Sequence, residues 1–235
     1  MYNNVSFNHH KHGEFGDTSL ADVRDLVILG FRKIHRNVLF NEHTLVCNNI
    51  ARLGHFINGD ELPCRAENNL NVSRAAQKTL RDAENWDFRP RLDAGIVDAG
   101  RVLTSQDKPD TDTPLVPLIY LGEAPDIGAY EHGAQSYWIP GRQDVLPSTP
   151  VPPDGAIGVK PTADLMFLPG LAAGEHVVYL GTSPESMAKR TVLSDTNIFT
   201  PGHLNPGRTY YWRVDAVRDG ETRPGPTWKF TVASQ

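Results

Sequence analysis

Polar and apolar residues alternate from Tyr210 to Val217: Tyr210, Trp212, Val214 and Ala216 fall on one side, Tyr211, Arg213, Asp215 and Val217 on the other. A period of two turns successive side chains to opposite faces, so this run predicts a strand buried on one face. Trp228, Phe230 and Val232 repeat the pattern near the end of the chain and predict a second such strand at about 227–232. Shorter apolar runs, punctuated by Gly, Pro, Asp and Ser, predict further strands at about 157–160, 163–168, 176–181, 191–193 and 197–200. Seven short strands in about 80 residues suit a β-sandwich.

The first half has a different pattern, of short apolar runs broken by asparagine. Asn4-Val5-Ser6-Phe7-Asn8 and Asn37-Val38-Leu39-Phe40-Asn41 share four of five residues. Cys47-Asn48-Asn49-Ile50 and Glu67-Asn68-Asn69-Leu70 lie 20 positions apart, a suitable length for one turn of a β-helix. Each coil must bend between short strands, and Asn tolerates the left-handed conformation and can bond from coil to coil. Asn-containing loops of an antiparallel sheet are the alternative. Asp22–His35 mixes helical and strand spacing, and Gly30 with the β-branched residues tips it towards strands of one coil. Ser73–Glu84 predicts a short helix, with Ser73 as cap and Ala76, Leu80 and Ala83 on one side, followed by Trp86 and Phe88 covering the end of the core. Residues 137–153 carry five prolines and predict a semi-rigid linker.

Composition narrows the function. The chain has 235 residues, 39% hydrophobic and 22% charged, ordinary for a folded protein. A net charge of −5 gives no general basic field, which disfavours nucleic acid as a partner. No run approaches the ~18 apolar residues that would insert into a membrane; Leu26–Phe31 is the most apolar and far too short. Cys47 and Cys64 show no CxxC metal spacing; they either fill space or form one disulfide.

Between these halves, Asp93-Ala94-Gly95 and Asp98-Ala99-Gly100 flank an apolar step, Ile96-Val97, and the segment closes on Pro125-Asp126-Ile127-Gly128-Ala129-Tyr130-Glu131. With the lead-in Arg89-Pro90-Arg91, this resembles the C-terminal end of bacterial right-handed parallel β-helix proteins of the pectate-lyase-like superfamily. Residues 154–235 resemble a fibronectin type III-like β-sandwich: Leu204-Asn205-Pro206 leading to Tyr210 matches that family's tyrosine corner, and Phe167 stands where the family usually places Trp. The expected fold is therefore all-β. Residues 1–136 would be the terminal coils of a right-handed parallel β-helix with a C-terminal cap, 137–153 the linker, and 154–235 the sandwich.

The resemblance implies a secreted or cell-surface location and a polysaccharide partner. The N-terminus shows no basic segment followed by an apolar one, and Met1 leads directly into a repeat-like segment. Both are expected of the C-terminal part of a longer protein that supplies upstream β-helix coils; a short natural protein is the alternative. If the parent is an enzyme, β-elimination on a uronic-acid polymer is the implied reaction. A non-catalytic surface or adhesion protein with spacer modules is the rival.

Candidate chemistry centres on His9-His10-Lys11-His12, with Glu14 and Asp17 nearby. Lys11 is the candidate base to remove a proton beside a uronate carboxylate, and Arg36, with Arg24 and Arg32 as alternatives, would neutralise that carboxylate. His10 and His12 are candidate substrate contacts; a transition-metal site is disfavoured because consecutive strand residues face opposite sides. Asp107, Asp110 and Asp112 form a loose candidate Ca²⁺ loop without the Gly and distal Glu of an EF-hand. Tyr137, Trp138 and, on the outer sandwich face, Tyr211 are candidate platforms for sugar rings. A solvated loop is the plain reading of the basic cluster, an acidic loop of the aspartates, and packing of Trp138.

Overall fold

The computed structural model describes residues 5–6, 45–47, 50–51, 65–71, 76–104, 120–139 and 142–234. The chain divides into two compact units, one of Met1–Ala83 with Phe88–Gly133, the other of Glu84–Asp87 with Ala134–Gln235.

In the first unit the described strands are short and pair in parallel. β1 (Val5–Ser6), β3 (Ile50–Ala51) and β5 (Leu70–Asn71) form one sheet, with Val5 in register with Ile50 and Ile50 with Leu70. β2 (Leu45–Cys47) pairs with β4 (Arg65–Glu67), Leu45 in register with Arg65 and Cys47 with Glu67. Both Asn-Asn segments thus feed strands paired at an offset of 20 residues, and Asn68 at the second of them takes the left-handed conformation (φ 51°). The neighbour of Val5 is Ile50, whereas its sequence counterpart Val38, the strands expected in 22–35 and Cys64 lie outside the described residues. Among the described residues these ladders do not join into one continuous or closed solenoid sheet.

The helix expected over 73–84 is one turn, α1 (Ala76–Thr79). Leu80–Asp82 instead forms β6, paired with β7 (Asp87–Pro90) across a 3-10 turn at Ala83–Asn85. Burial overrides helix propensity here, because Leu80 is fully buried in a cluster with Ile50, Ala83 and Ile96, against which Leu70, Phe88 and Ile127 pack. Trp86 does not cover that core: it is half exposed with φ 69°.

The second unit is a β-sandwich, two sheets packed around one core. β8 (Ser148–Val151), β10 (Leu165–Leu168) and β13 (Ile198–Phe199) make the small antiparallel sheet, in the order β13-β10-β8. The large sheet runs β12 (Ala188–Leu193), β11 (Glu175–Gly181), β14 (Thr209–Arg218), β16 (Thr227–Val232), β9 (Ala156–Val159), with β15 (Glu221–Arg223) beside β14. Between them lie Leu165 and Phe167 from the small sheet and Val178, Leu180, Trp212, Val214, Trp228, Phe230 and Val232 from the large one. The alternation read in β14 and β16 thus sets the core face. Phe167 is fully buried, and the Tyr210 hydroxyl accepts the Asn205 backbone N–H at 3.0 Å, forming the tyrosine corner.

Part of the stretch expected as linker is strand. β8 pairs Val151 with Met166 and Ser148 with Leu168, and Val151 is buried. Its one proline, Pro150, is tolerated because β8 is the edge of its sheet, where a missing N–H costs no ladder bond.

Candidate functional site

Lys11, Arg36, His10, His12, Asp107, Asp110 and Asp112 lie outside the described residues. Among the described residues, no group of three His, Cys, Asp or Glu side chains is placed to hold a metal ion.

Tyr137 and Trp138 occupy opposite environments. Tyr137 is 6% exposed, and burial pushes its hydroxyl up to about 12, against a smaller opposing pull from Arg142. A side chain so buried offers little open face to a sugar ring. Alternation could not show this, because the segment is held from 60 residues away by Asn197, whose side chain brackets the Tyr137 main chain. Trp138, next in sequence, is 48% exposed.

Asp98 of the second DAG turn and the acidic residues of the closing motif form a chain of main-chain clamps, whereas Asp93 of the first turn binds the Arg91 side chain. Asp98 Oδ1 accepts the N–H groups of Glu123 (2.8 Å) and Ala124 (3.2 Å), while the Asp98 N–H donates to Asp126 Oδ1 (2.8 Å). The other oxygen of buried Asp126 accepts from His132 N–H (2.5 Å), and Glu131 accepts from Leu121 and Asp126 N–H. Burial first, then the neighbouring Asp126, raises the Glu131 carboxyl above its ordinary range, with main-chain donors opposing. These carboxylates are occupied by backbone donors, which makes them structural.

A different arrangement lies on the outer face of the large sheet. Cross-strand pairing aligns Lys189, Tyr179, Arg213 and Thr227 across β12, β11, β14 and β16, and in the adjacent row Gly181, Tyr211 and Lys229. The Arg213 guanidinium lies 4.7 Å from the Tyr179 ring centre and binds Asp215 through two hydrogen bonds of 2.7 and 3.0 Å. The bond from Asp215 leads the causes that raise the guanidinium above its ordinary value. Asp215, buried although it points outward, also accepts from Gly225 N–H at 3.2 Å. Tyr211 and Lys229 stand beside this fixed group, with Lys229 exposed. On the other side of Tyr211, a Cβ on Gly181 would meet the carbonyl of Ser186 at 2.7 Å, so the turn at Pro184–Ser186 lies over that position. Period two places Tyr211, Arg213 and Asp215 on one face, but Tyr179, Lys189 and Lys229 join them only through strand order.

No protein-family model matches the chain, and no curated protein does. Among solved structures, it is similar to a β-sandwich protein redesigned by computer, with 23% identity over 38% of this chain and 90% of that one and a TM-score of 0.32. It is also similar to an Fn3-like protein from Clostridium thermocellum (16% identity, 40% of this chain and 98% of that one, TM-score 0.32). A third likeness is to a fibronectin type III domain of a human protein (16% identity, 40% and 91%, TM-score 0.29).

Proposed function

We propose that this chain belongs to an exported polysaccharide-binding or polysaccharide-processing protein, with the last coils and cap of a right-handed parallel β-helix in its first unit and a fibronectin-like module in its second. The observation that carries the proposal is the register: Leu45 with Arg65 and Ile50 with Leu70, two parallel ladders at the same 20-residue offset. A chain that returns after 20 residues to run beside both strands of its previous turn has made a coil, and stacked coils present repeating side chains along an extended face, a shape suited to a polymer. The clamps of Asp98, Asp126 and Glu131 then serve as the cap that ends the stack.

The reaction class that fits this architecture is β-elimination on a uronate polymer, with Lys11 as base and Arg36 at the carboxylate. The test is a screen of the full chain against acidic and neutral polysaccharides, with and without Ca²⁺, following binding and the absorbance of unsaturated product together. Binding to a polysaccharide supports the proposal, and product lost in Lys11→Ala adds the lyase step. Absence of binding to every polymer overturns it in favour of a spacer or adhesion role.

A further inference from the structure

We infer that the outer face of the large sheet holds a segment of an anionic polysaccharide, with Tyr211 beneath a sugar ring and Lys229 and Lys189 at its carboxylates. The inference rests on the polysaccharide reading and adds to it a second surface, on the sandwich, that takes the anionic polymer.

Charge singles out this face. The chain is acidic overall, at −5, yet the two adjacent rows bring together Lys189, Arg213 and Lys229. The acidic residues at these rows are Asp215, engaged by Arg213, and Asp154, whose Oδ1 accepts the Lys229 N–H at 2.9 Å; among the described residues neither Lys189 nor Lys229 forms an ion pair. Two exposed ammonium groups therefore face solvent on either side of a neutralised, immobile pair. A polyanion would find positive charge without displacing an internal partner.

The aromatic residues divide the work. Tyr179 is covered by the Arg213 guanidinium, so its face is taken. Tyr211 is half-buried, next to Lys229 across the strand pair. Neighbouring strands lie about 4.7–4.9 Å apart, so a cation and an aromatic ring in one cross-strand pair can meet the carboxylate and the apolar face of the same sugar residue. The turn over Gly181 adds hydroxyls, with Ser183 and Ser186 2.9 Å apart. Rigid aromatic, flanking ammonium groups and small hydroxyls form a site for a hydroxylated anion.

The test uses the full chain in affinity electrophoresis through polygalacturonate or dextran at low and high salt. Variants are Tyr211→Ala, the double exchange Lys189→Glu with Lys229→Glu, and Lys189→Arg with Lys229→Arg, each checked for native tryptophan fluorescence. The expected result is binding to polygalacturonate that weakens with salt, falls at least tenfold in the first two variants and persists in the arginine pair. Binding unchanged in the glutamate pair overturns the inference while leaving the polysaccharide reading intact, because the polymer then lies elsewhere on the chain. Equal binding to dextran, or tighter binding to a single-stranded oligonucleotide, overturns the anionic-polysaccharide assignment. No binding to either polymer overturns the inference and counts against the reading beneath it.

Discussion

Asn197 grips the main chain of Tyr137 from both sides: its Oδ1 accepts the Tyr137 N–H at 2.7 Å and its Nδ2 donates to the Tyr137 carbonyl at 2.6 Å. The same Nδ2 donates to the Phe167 carbonyl at 2.6 Å, and Thr196 Oγ1 donates to the Gln135 carbonyl. One buried amide therefore joins the segment before the sandwich to the strand at its centre. Asn197→Ala leaves several buried main-chain groups unpaired, and a loss of about 2–3 kcal/mol is expected by denaturant unfolding. Asn197→Asp should cost at least as much, because it replaces the donor with an acceptor facing two carbonyls.

The tyrosine corner gives a smaller, cleaner effect. Tyr210→Phe keeps the ring that stacks on Phe230 and removes only the acceptor of the Asn205 N–H. A loss of about 1 kcal/mol is expected, with no change in the near-ultraviolet spectrum from Trp212 and Trp228 beyond that of the missing phenol.

His176 makes sandwich stability depend on pH. It is buried against Phe167, and its Nε2 accepts the Gly170 N–H at 3.3 Å, which requires the neutral ring. Burial lowers its pKa below the ordinary 6.5. The unfolded chain therefore takes up a proton more readily: the contribution is complete above 6.5 and is lost as pH falls from there towards the folded value. His176→Gln keeps an acceptor but does not titrate, and the stability-against-pH curve below 6.5 should be flatter than in the wild type. Equal slopes would exclude His176 as the cause.

The segment clamped by Asp98, Asp126 and Glu131 should respond to its glycine and to acid. Gly122 has φ 91°, and a Cβ there would strike the Asp98 carboxylate, so Gly122→Ala should destabilise by about 2 kcal/mol or more in thermal unfolding. Glu131 has the opposite pH sign to His176. Its folded pKa is raised above 4.5, so its contribution is complete below 4.5 and is lost as pH rises through the folded value. Glu131→Gln keeps an acceptor without the charge, and it should narrow the difference in stability between mildly acidic and neutral pH.

Much of this was legible because it depends on local spacing. The 20-residue recurrence of Asn-Asn, the alternation through Tyr210–Val217 and the approach to Tyr210 each correspond to a feature of the fold. Features that depend on remote partners were not legible. The five prolines of 137–153 predict a linker, where an edge position admits Pro150 within a strand. Helix formers around Leu80 gave way to burial beside Ile50 and Ile96, and the main chain of Tyr137 is held by Asn197 from 60 residues away. On the outer face, Tyr211 could be found by period two, but its alignment with Lys229 required the pairing of β14 with β16.

The proposed coil architecture, on which the polysaccharide reading rests, is tested most directly by cross-linking the paired strands β2 and β4. Cys47 is in register with Glu67 in a parallel pair, and neighbouring strands about 4.8 Å apart fall within disulfide reach. In the full chain carrying Glu67→Cys, with Cys64→Ser to remove the competing thiol, mild oxidation should link positions 47 and 67 within one molecule, as read by peptide mapping. The surface ion pair of Glu67 with Arg101 is lost in this variant, at a cost under about 1 kcal/mol. A chain that leaves both thiols free, while Cys47 links efficiently to a cysteine placed several residues away from 67, would contradict the 20-residue coil.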